Sequence, residues 1–469
     1  MYQSQPFFAP AFFDKFSLEK NYVLLLFVHV ILGVVFFHYP KLCSFYGIAI
    51  AVFGLVYIIY NKNRNHEILQ VAGYFTGVEV LIRMTHGFLN YEFAKYSLIV
   101  LAIVGIFYNG FSKKTWPYWI YLLALIPSVL MHHDIDTISR AIIKPIVFNL
   151  SGPICLGIFA IYTYNKKITL AALNKILFCI GLPILTCAIY VFIYNPEISI
   201  YLRGVSSNPM YSGGFGPNQV ASTFGMGMFV FFALFILNST TKIRFLIHLF
   251  LFSLLCYLGL LTFSRGGMIT GCLVCIVFLF SVYYNSKSYG KAKSKQGFIY
   301  FFAVLIAVVA LISYQTNGLI EKRYTNRDHR GKIKEDSAID RKEIAFEEVK
   351  IFMKNPVLGI GAGNADQIRE NKHGKKVKSH DELTRLLAEH GSLGVINILI
   401  LIIIPLRLFL KFKENIFIIA CFAFWFLTIN HSGMRIAAPA FLYALMFLKI
   451  SIDDAPFFNS ETSSEIALK

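Results

Sequence analysis

Long apolar runs separated by short polar stretches fill most of the chain. Runs of about 18 residues or more are long enough to cross a bilayer as helices. The pattern predicts spans near residues 21–38, 42–60, 67–84, 95–110, 116–131, 146–164, 172–194, 219–238, 244–262, 267–284, 298–315, 393–410, 415–430 and 434–450. That is about fourteen; without the short run at 116–131 and the polar-flanked run at 67–84 the count is twelve. One long non-apolar segment, from about Tyr314 to Ser392, interrupts the series. At about eighty residues it is too long for a passive connection. The expected fold class is therefore all-α: a polytopic integral membrane protein of about 12–14 transmembrane helices with one long, partly helical loop. Its expected parts are N-terminal transmembrane helices over 1–314, the loop over 315–392, C-terminal transmembrane helices over 393–452, and a disordered cytoplasmic tail over 453–469. No internal repeat is evident.

Composition strengthens this picture. Of 469 residues, 56% are hydrophobic and 15% charged, with a mean hydropathy of +0.60; soluble domains run near 45–50% apolar and about 25% charged. The first stretch, Met1–Lys20, is polar and aromatic and does not read as a cleavable leader. A net charge of +18 does not point to nucleic acid, because the basic residues gather in short loops. With the N-terminus in the cytoplasm, the cytoplasmic loops hold Lys62 and Arg64, Lys113 and Lys114, Lys166 and Lys167, Lys242 and Arg244, Lys287 to Lys295, and Arg407 to Lys413. The opposite loops are poorer in positive charge, as the positive-inside rule requires. The long loop then lies outside, periplasmic in a double-membraned bacterium. The eight cysteines fall mostly inside apolar runs, so helix packing rather than disulfides or a metal accounts for them, the Cys272–Cys275 pair included.

A few polar stretches stand out against this background, all on the expected outer side. "TFSRGGM" (Thr262–Met268) places Arg265 between two spans. A guanidinium is a planar fork for phosphate oxygens, although an arginine at a bilayer edge also snorkels. Its place on a side kept poor in positive charge favours anion recognition. Gly266 and Gly267 are expected to turn the backbone tightly and admit a large group. In "YSGGFGPNQVAS" (Tyr211–Ser222), Gly213, Gly214 and Gly216 shape a turn and Pro217-Asn218 open a span. Helix capping explains this; a helix N-terminus aimed at an anion or sugar is the alternative. Arg203 is a second cation just upstream.

Within the long loop, "DSAIDRKEIAFEEVKIFMKNP" predicts an amphipathic helix. Ile339, Ala345, Val349 and Phe352 share one face, Arg341 lies beside it, and Asn355-Pro356 ends it. On this stretch alone Arg341 reads as a solvated residue. "VLGIGAGN" (Val357–Asn364) lacks the strand and βαβ unit a dinucleotide loop needs, so it reads as a glycine turn between two helices. In "KSHDELTRLLAEHGSLG", Ser379 and Glu382 have capping-box spacing and Gly391 is a natural stop. Leu383, Leu386, Leu387 and Leu393 offer an apolar side for docking on the membrane domain. This puts His380 in the first helical turn, where the helix dipole disfavours the imidazolium and favours the neutral form a general base needs. The plainer reading is a surface histidine. "HHDID" (His132–Asp136) has metal-ligand residue types but reads better as an interfacial turn. "NHSGMR" (Asn430–Arg435) adds a His and an Arg that line the same cavity if the turn faces it. Arg203, Asn218, Arg265, Arg341, His380 and Arg435 thus fall on one side of the membrane, which suits a lipid-linked, phosphate-bearing substrate.

"LTFSRGGM", followed by "DR…NPVLGIGAGN…SHDELTRLLAEHGSLG", resembles the O-antigen ligase and polymerase superfamily. Its members show Ser-Arg-Gly, a loop Arg before Pro-x-x-Gly-x-Gly-x-Gly-Asn, then His-Asn-x-x-Leu and Gly-x-x-Gly; "GPNQVAS" resembles their Pro-Asn turn. The similarity covers roughly Arg203 to Gly394 and the topology. Two departures are Asp381 for the commoner Asn and Phe346 for Trp. The resemblance implies glycan transfer from an undecaprenyl-diphosphate carrier to an acceptor sugar, which in the ligase branch is lipid A–core. It implies His380 as general base and Arg265 and Arg341 as holders of the departing diphosphate, with inversion, no metal and no other cofactor. Arg203, Gly216, Asn218, Ser264, Gly266, Asn364 and Arg435 are the expected substrate-binding residues. The partners would be the carrier-linked donor, the glycan acceptor and membrane lipids. The rivals are an O-antigen or exopolysaccharide polymerase and a protein oligosaccharyltransferase. A transporter or flippase would place charges within its spans, and these spans hold few.

Overall fold

The computed structural model describes residues 21–87, 89–131, 140–194, 206–328, 330–333, 341–374, 379–412 and 415–451, with the side chains of 140–142 and 341 excepted. Arg203, the His132–Asp136 turn, Ile339 and the 453–469 tail lie outside them. The described chain is nearly all helix. The apolar segments form α1 (Tyr22–His38), α2 (Leu42–Asn61), α3 (Glu67–Met84), α4 (Phe93–Asn109), α5 (Trp116–Leu125), α6 (Pro127–Leu130), α7 (Arg140–Thr163), α8 (Leu170–Tyr194), α9 (Pro217–Asn238), α10 (Lys242–Leu261), α11 (Arg265–Asn285) and α12 (Ser288–Gln315). The polar segment forms α13 (Leu319–Tyr324), α14 (Arg341–Lys354), α15 (Asn364–His373) and α16 (Glu382–His390). The chain ends with α17 (Ser392–Lys411), α18 (Ile418–Ile429) and α19 (Ala438–Leu445). Among the described residues eight helices are long and apolar enough to cross a membrane, so the chain is a polytopic membrane protein.

Helix α9 is the axis of the bundle. Every residue from Val220 to Leu237 is buried, as expected for a helix apolar on all sides. Its tightest neighbour is α11. Alanine at Gly225 would strike the Gly267 carbonyl, and at Gly271 the Gly225 backbone. Small residues four apart on both helices let the backbones touch, which is how helices gain contact where lipid removes the hydrophobic drive. Gly267 therefore serves close packing inside a helix, and neither it nor Gly266 forms the tight turn expected above.

The run at 434–450 is not one helix. Pro439 opens the short α19, and beyond it Lys449–Ser451 (β2) pairs in parallel with Lys167–Thr169 (β1), Ile168 opposite Ile450. At this end of the bundle Lys166 Nζ also donates to Gly110 O (3.2 Å) and Asn63 Nδ2 to Tyr162 OH (3.0 Å). The basic loops after α2, α4 and α7 thus gather at one end, and the candidate site forms at the other.

In the polar segment, α14 packs on α16. Ala345, Val349 and Phe352 are half-buried as expected, but the deepest residues of α14 are Ile344 and Glu348. Phe346 is 61% exposed, with Lys350 4.5 Å over its ring.

Candidate active site

The glycine stretch after α14 is a turn, as its sequence predicts, and it wraps the C-terminal end of α16. Ile360 N donates to Ala388 O (3.0 Å) and Gly361 N to Glu389 O (3.1 Å), which satisfies carbonyls that a helix end leaves unpaired. A side chain at Gly359 would strike the Glu389 backbone, and its φ of 73° is one glycine adopts freely. Asn364 Nδ2 donates to Ile360 O (2.7 Å) and ties the turn to α15.

Helix α16 buries its charged stripe rather than only its leucines. Glu382, Arg385, Leu386 and Glu389 are buried, while Leu383 and Leu387 are half-buried. Arg385 pairs with Glu382 and, at 2.7 Å, with Glu389, and its Nη2 donates to Asn149 O on α7. Glu389 also accepts from Asn149 Nδ2 (2.8 Å) and from Gly363 N (2.9 Å). Burial pushes the Glu389 carboxyl up to about 7 against the pull of Arg385. The same burial, with the Arg385 charge adding to it, pushes His390 down to about 3.

The N-terminus of α16 differs from the expected capping box. Asp381 is the cap, accepting from Leu383 N (2.8 Å) and Thr384 N (3.4 Å). Asp and Ser cap almost equally well, and the choice moves the helix start by two residues. His380 therefore precedes the cap instead of occupying the first turn. Ser379 donates through Oγ to Glu348 Oε2 (3.1 Å), and Thr384 Oγ1 donates to the same oxygen at 2.6 Å. Glu348, held from the other side by Arg369 (2.7 Å), thus clasps both flanks of His380. Burial raises the Glu348 carboxyl against those three donors.

Facing His380 is Arg435. Its Nη2 donates to Ser379 O (2.7 Å), and its Nη1 lies 3.4 Å from His380 Nε2. A guanidinium has no acceptor, so a hydrogen bond between them would use the Nε2 lone pair. Ser379, Glu382, Asp366, Phe148 and Arg435 line a small cleft here.

The Ser-Arg-Gly stretch joins this place through the Asn430–Arg435 turn. Ser264 Oγ donates to Asn218 Oδ1 (2.8 Å), which joins the two outer motifs side to side. Gly216 is the N-cap of α9, with Pro217 in its first turn. Arg265 opens α11 half-buried, within electrostatic reach of Tyr324. Phe263, two residues before it, is buried with φ at 55°, a conformation that costs about 1–3 kcal/mol and persists where the surroundings impose it. Here Arg323 Nε grips the Phe263 carbonyl (2.8 Å) and Tyr211 packs on its ring. A methyl group on Gly266 would collide with the His431 ring, which itself contacts Ser222 Oγ (3.2 Å) and Leu427 O (2.8 Å). The 430–435 turn therefore touches the Ser-Arg-Gly motif through His431 and His380 through Arg435.

Arg341 is the first residue of α14, three residues before the buried Ile344. The spans hold more charge than expected: Glu79, Arg83 and Lys95 are buried in α3 and α4, with Glu92 at the start of α4. Glu79, Arg83, Glu348, Arg385 and Glu389 were not singled out as site residues, because a charged residue in a window reads as solvated until its partners are known. Glu79 and Arg83 carry the available signal, ionisable residues within an apolar span. Among the described residues no group of three or more His, Cys, Asp and Glu is arranged to hold a metal, and all eight cysteines are free.

Residues 249–399 match the family described as O-antigen ligase, a stretch running from α10 through the Ser-Arg-Gly motif and α16 into α17. Neither a curated protein nor a solved structure matches the chain. That segment, with the motifs it contains, is similar to the O-antigen ligase family and supports the resemblance to that superfamily.

Proposed function

We propose that this protein is an inverting glycan ligase of the bacterial inner membrane, working on its periplasmic face. It transfers a glycan from undecaprenyl diphosphate to a sugar hydroxyl of lipid A–core. The observation that carries the reading is the meeting of His380 with Arg435 at the bundle end that also holds Ser264, Arg265 and Gly266.

In this scheme the acceptor hydroxyl attacks the anomeric carbon and displaces Arg435 from the lone pair of His380 Nε2. The new C–O bond forms as the anomeric C–O bond to the diphosphate breaks, and the bonding pair leaves with the diphosphate. The proton passes from the hydroxyl to His380. Arg265 and, following the resemblance, Arg341 hold the diphosphate as charge develops on it. Fixed cations suit that task because a diphosphate is already a good leaving group and preorganised charge needs no rearrangement during the step. The periplasmic placement is supported by the basic loops gathered at the opposite end of the bundle.

The test is reconstitution in liposomes with the carrier-linked glycan, offered lipid A–core or a second carrier-linked glycan separately. Product with lipid A–core is expected. Product only with the second carrier-linked glycan would make the chain a polymerase.

A further inference from the structure

The membrane domain holds an ionisable cluster that the transfer scheme does not use. Glu79 and Arg83 on α3 pair at 2.6 Å, Glu92 and Lys95 at the start of α4 pair at 2.6 Å, and Arg83 approaches Glu92 at 3.7 Å. All four are buried, and two carboxylates balance two cations. Ionisable groups at such depth are expensive and are usually retained where they act. The two pairs differ in what they hold. Lys95 and Glu92 bond Ser151 on α7, a contact between neighbouring helices.

The Arg83–Glu79 pair instead grips the backbone beside the site. Arg83 Nη1 donates to Arg435 O (2.7 Å) and to Gln219 Oε1 (3.2 Å), and Arg83 Nε donates to Tyr91 O (3.1 Å). Its guanidinium lies 4.2 Å over the Tyr91 ring. Glu79 Oε2 accepts from Ala437 N at 2.6 Å. One ion pair therefore holds the carbonyl of Arg435 and the amide two residues later. It also reaches Gln219, next to the Asn218 that bonds Ser264.

We infer that Arg83 and Glu79 are positioning residues for the transfer: they set the Arg435 backbone and, through it, the guanidinium that faces His380. This rests on the assignment of His380 and Arg435 to the transfer site. A lysine cannot replace Arg83, because one ammonium cannot span the three acceptors that the planar fork reaches.

The test uses the full chain in liposomes with an undecaprenyl-diphosphate-linked glycan and the acceptor the wild type uses. Arg83→Lys and the charge-neutral pair Glu79→Gln/Arg83→Gln, which strands no lone buried charge, are each made alone and with Arg435→Ala. Hydrogen exchange over residues 430–437 is followed in the same samples. The expected result is a kcat lower by about 10- to 100-fold with donor KM unchanged, faster exchange over 430–437, and no further loss once Arg435 is alanine. Wild-type kcat in the charge-neutral pair, or losses that multiply with those of Arg435→Ala, would overturn the inference. Normal transfer by His380→Ala is a different result and would remove the assignment of the base instead.

Discussion

Glu389 is fully buried and receives three donors, from Arg385, Asn149 and Gly363. Glu389→Ala would leave Arg385 short of one partner and two further donors unsatisfied, at a cost of about 3 kcal/mol, measurable by unfolding the purified protein in SDS. The pH dependence has a definite sign. Burial lifts the folded carboxyl from 4.5 to about 7, so between those values the folded chain keeps a proton that the unfolded chain has released. The stability contributed by this group therefore falls as pH rises through that window. Glu389→Gln, which fixes a neutral side chain, should flatten the slope of melting temperature against pH there. An unchanged slope would show that another group sets it. None of this was legible from "ELTRLLAEH": periodicity marks which residues share a face, but not whether a charged stripe meets partners or water.

At the scale of single elements, the cap of α16 separates His380 from the helix it precedes. Asp381→Ala should cost about 0.5–2 kcal/mol and reduce transfer by loosening the approach to the helix, whereas Asp381→Asn should keep both near wild type. Thermal stability and transfer assays on the two variants check this. The helix itself was legible, since its polar start, leucines and terminal glycine all point the same way. Its first residue was not, because Ser379 and Asp381 are both good caps and only the Ser379–Glu348 contact decides between them. The glycines of "SRGGM" were half-read for a similar reason. A tight turn admitting a large group was expected; the glycines instead lie in a helix, against His431 on one side and α9 on the other, partners that come from distant sequence. Gly267→Val should therefore disrupt the α9–α11 contact and sharply lower membrane yield. A fully stable Gly267→Val protein would contradict that packing.

Across the whole molecule, hydropathy located the apolar segments, and all but the run at 434–450 are helical over most of their length because a bilayer leaves the backbone few other ways to satisfy its polar groups. What hydropathy missed was where such a segment stops, as in α19, whose chain leaves the helix to pair β2 with β1. It also missed the charges beneath the site, because their neutrality is a property of α3 and α4 together. At this scale the scheme predicts transfer that survives EDTA, since fixed arginines stabilise the leaving diphosphate. Loss of activity with EDTA and its recovery with a divalent ion would bring the His132–Asp136 turn back as a metal site.

The most direct measurement is glycan transfer by His380→Ala in liposomes, at protein levels matched to wild type. A general base contributes about 10²- to 10⁴-fold, so transfer should fall by that order while the protein still accumulates in the membrane. Turnover at the wild-type rate would contradict the assignment of His380 and, with it, the site assembled around Arg435.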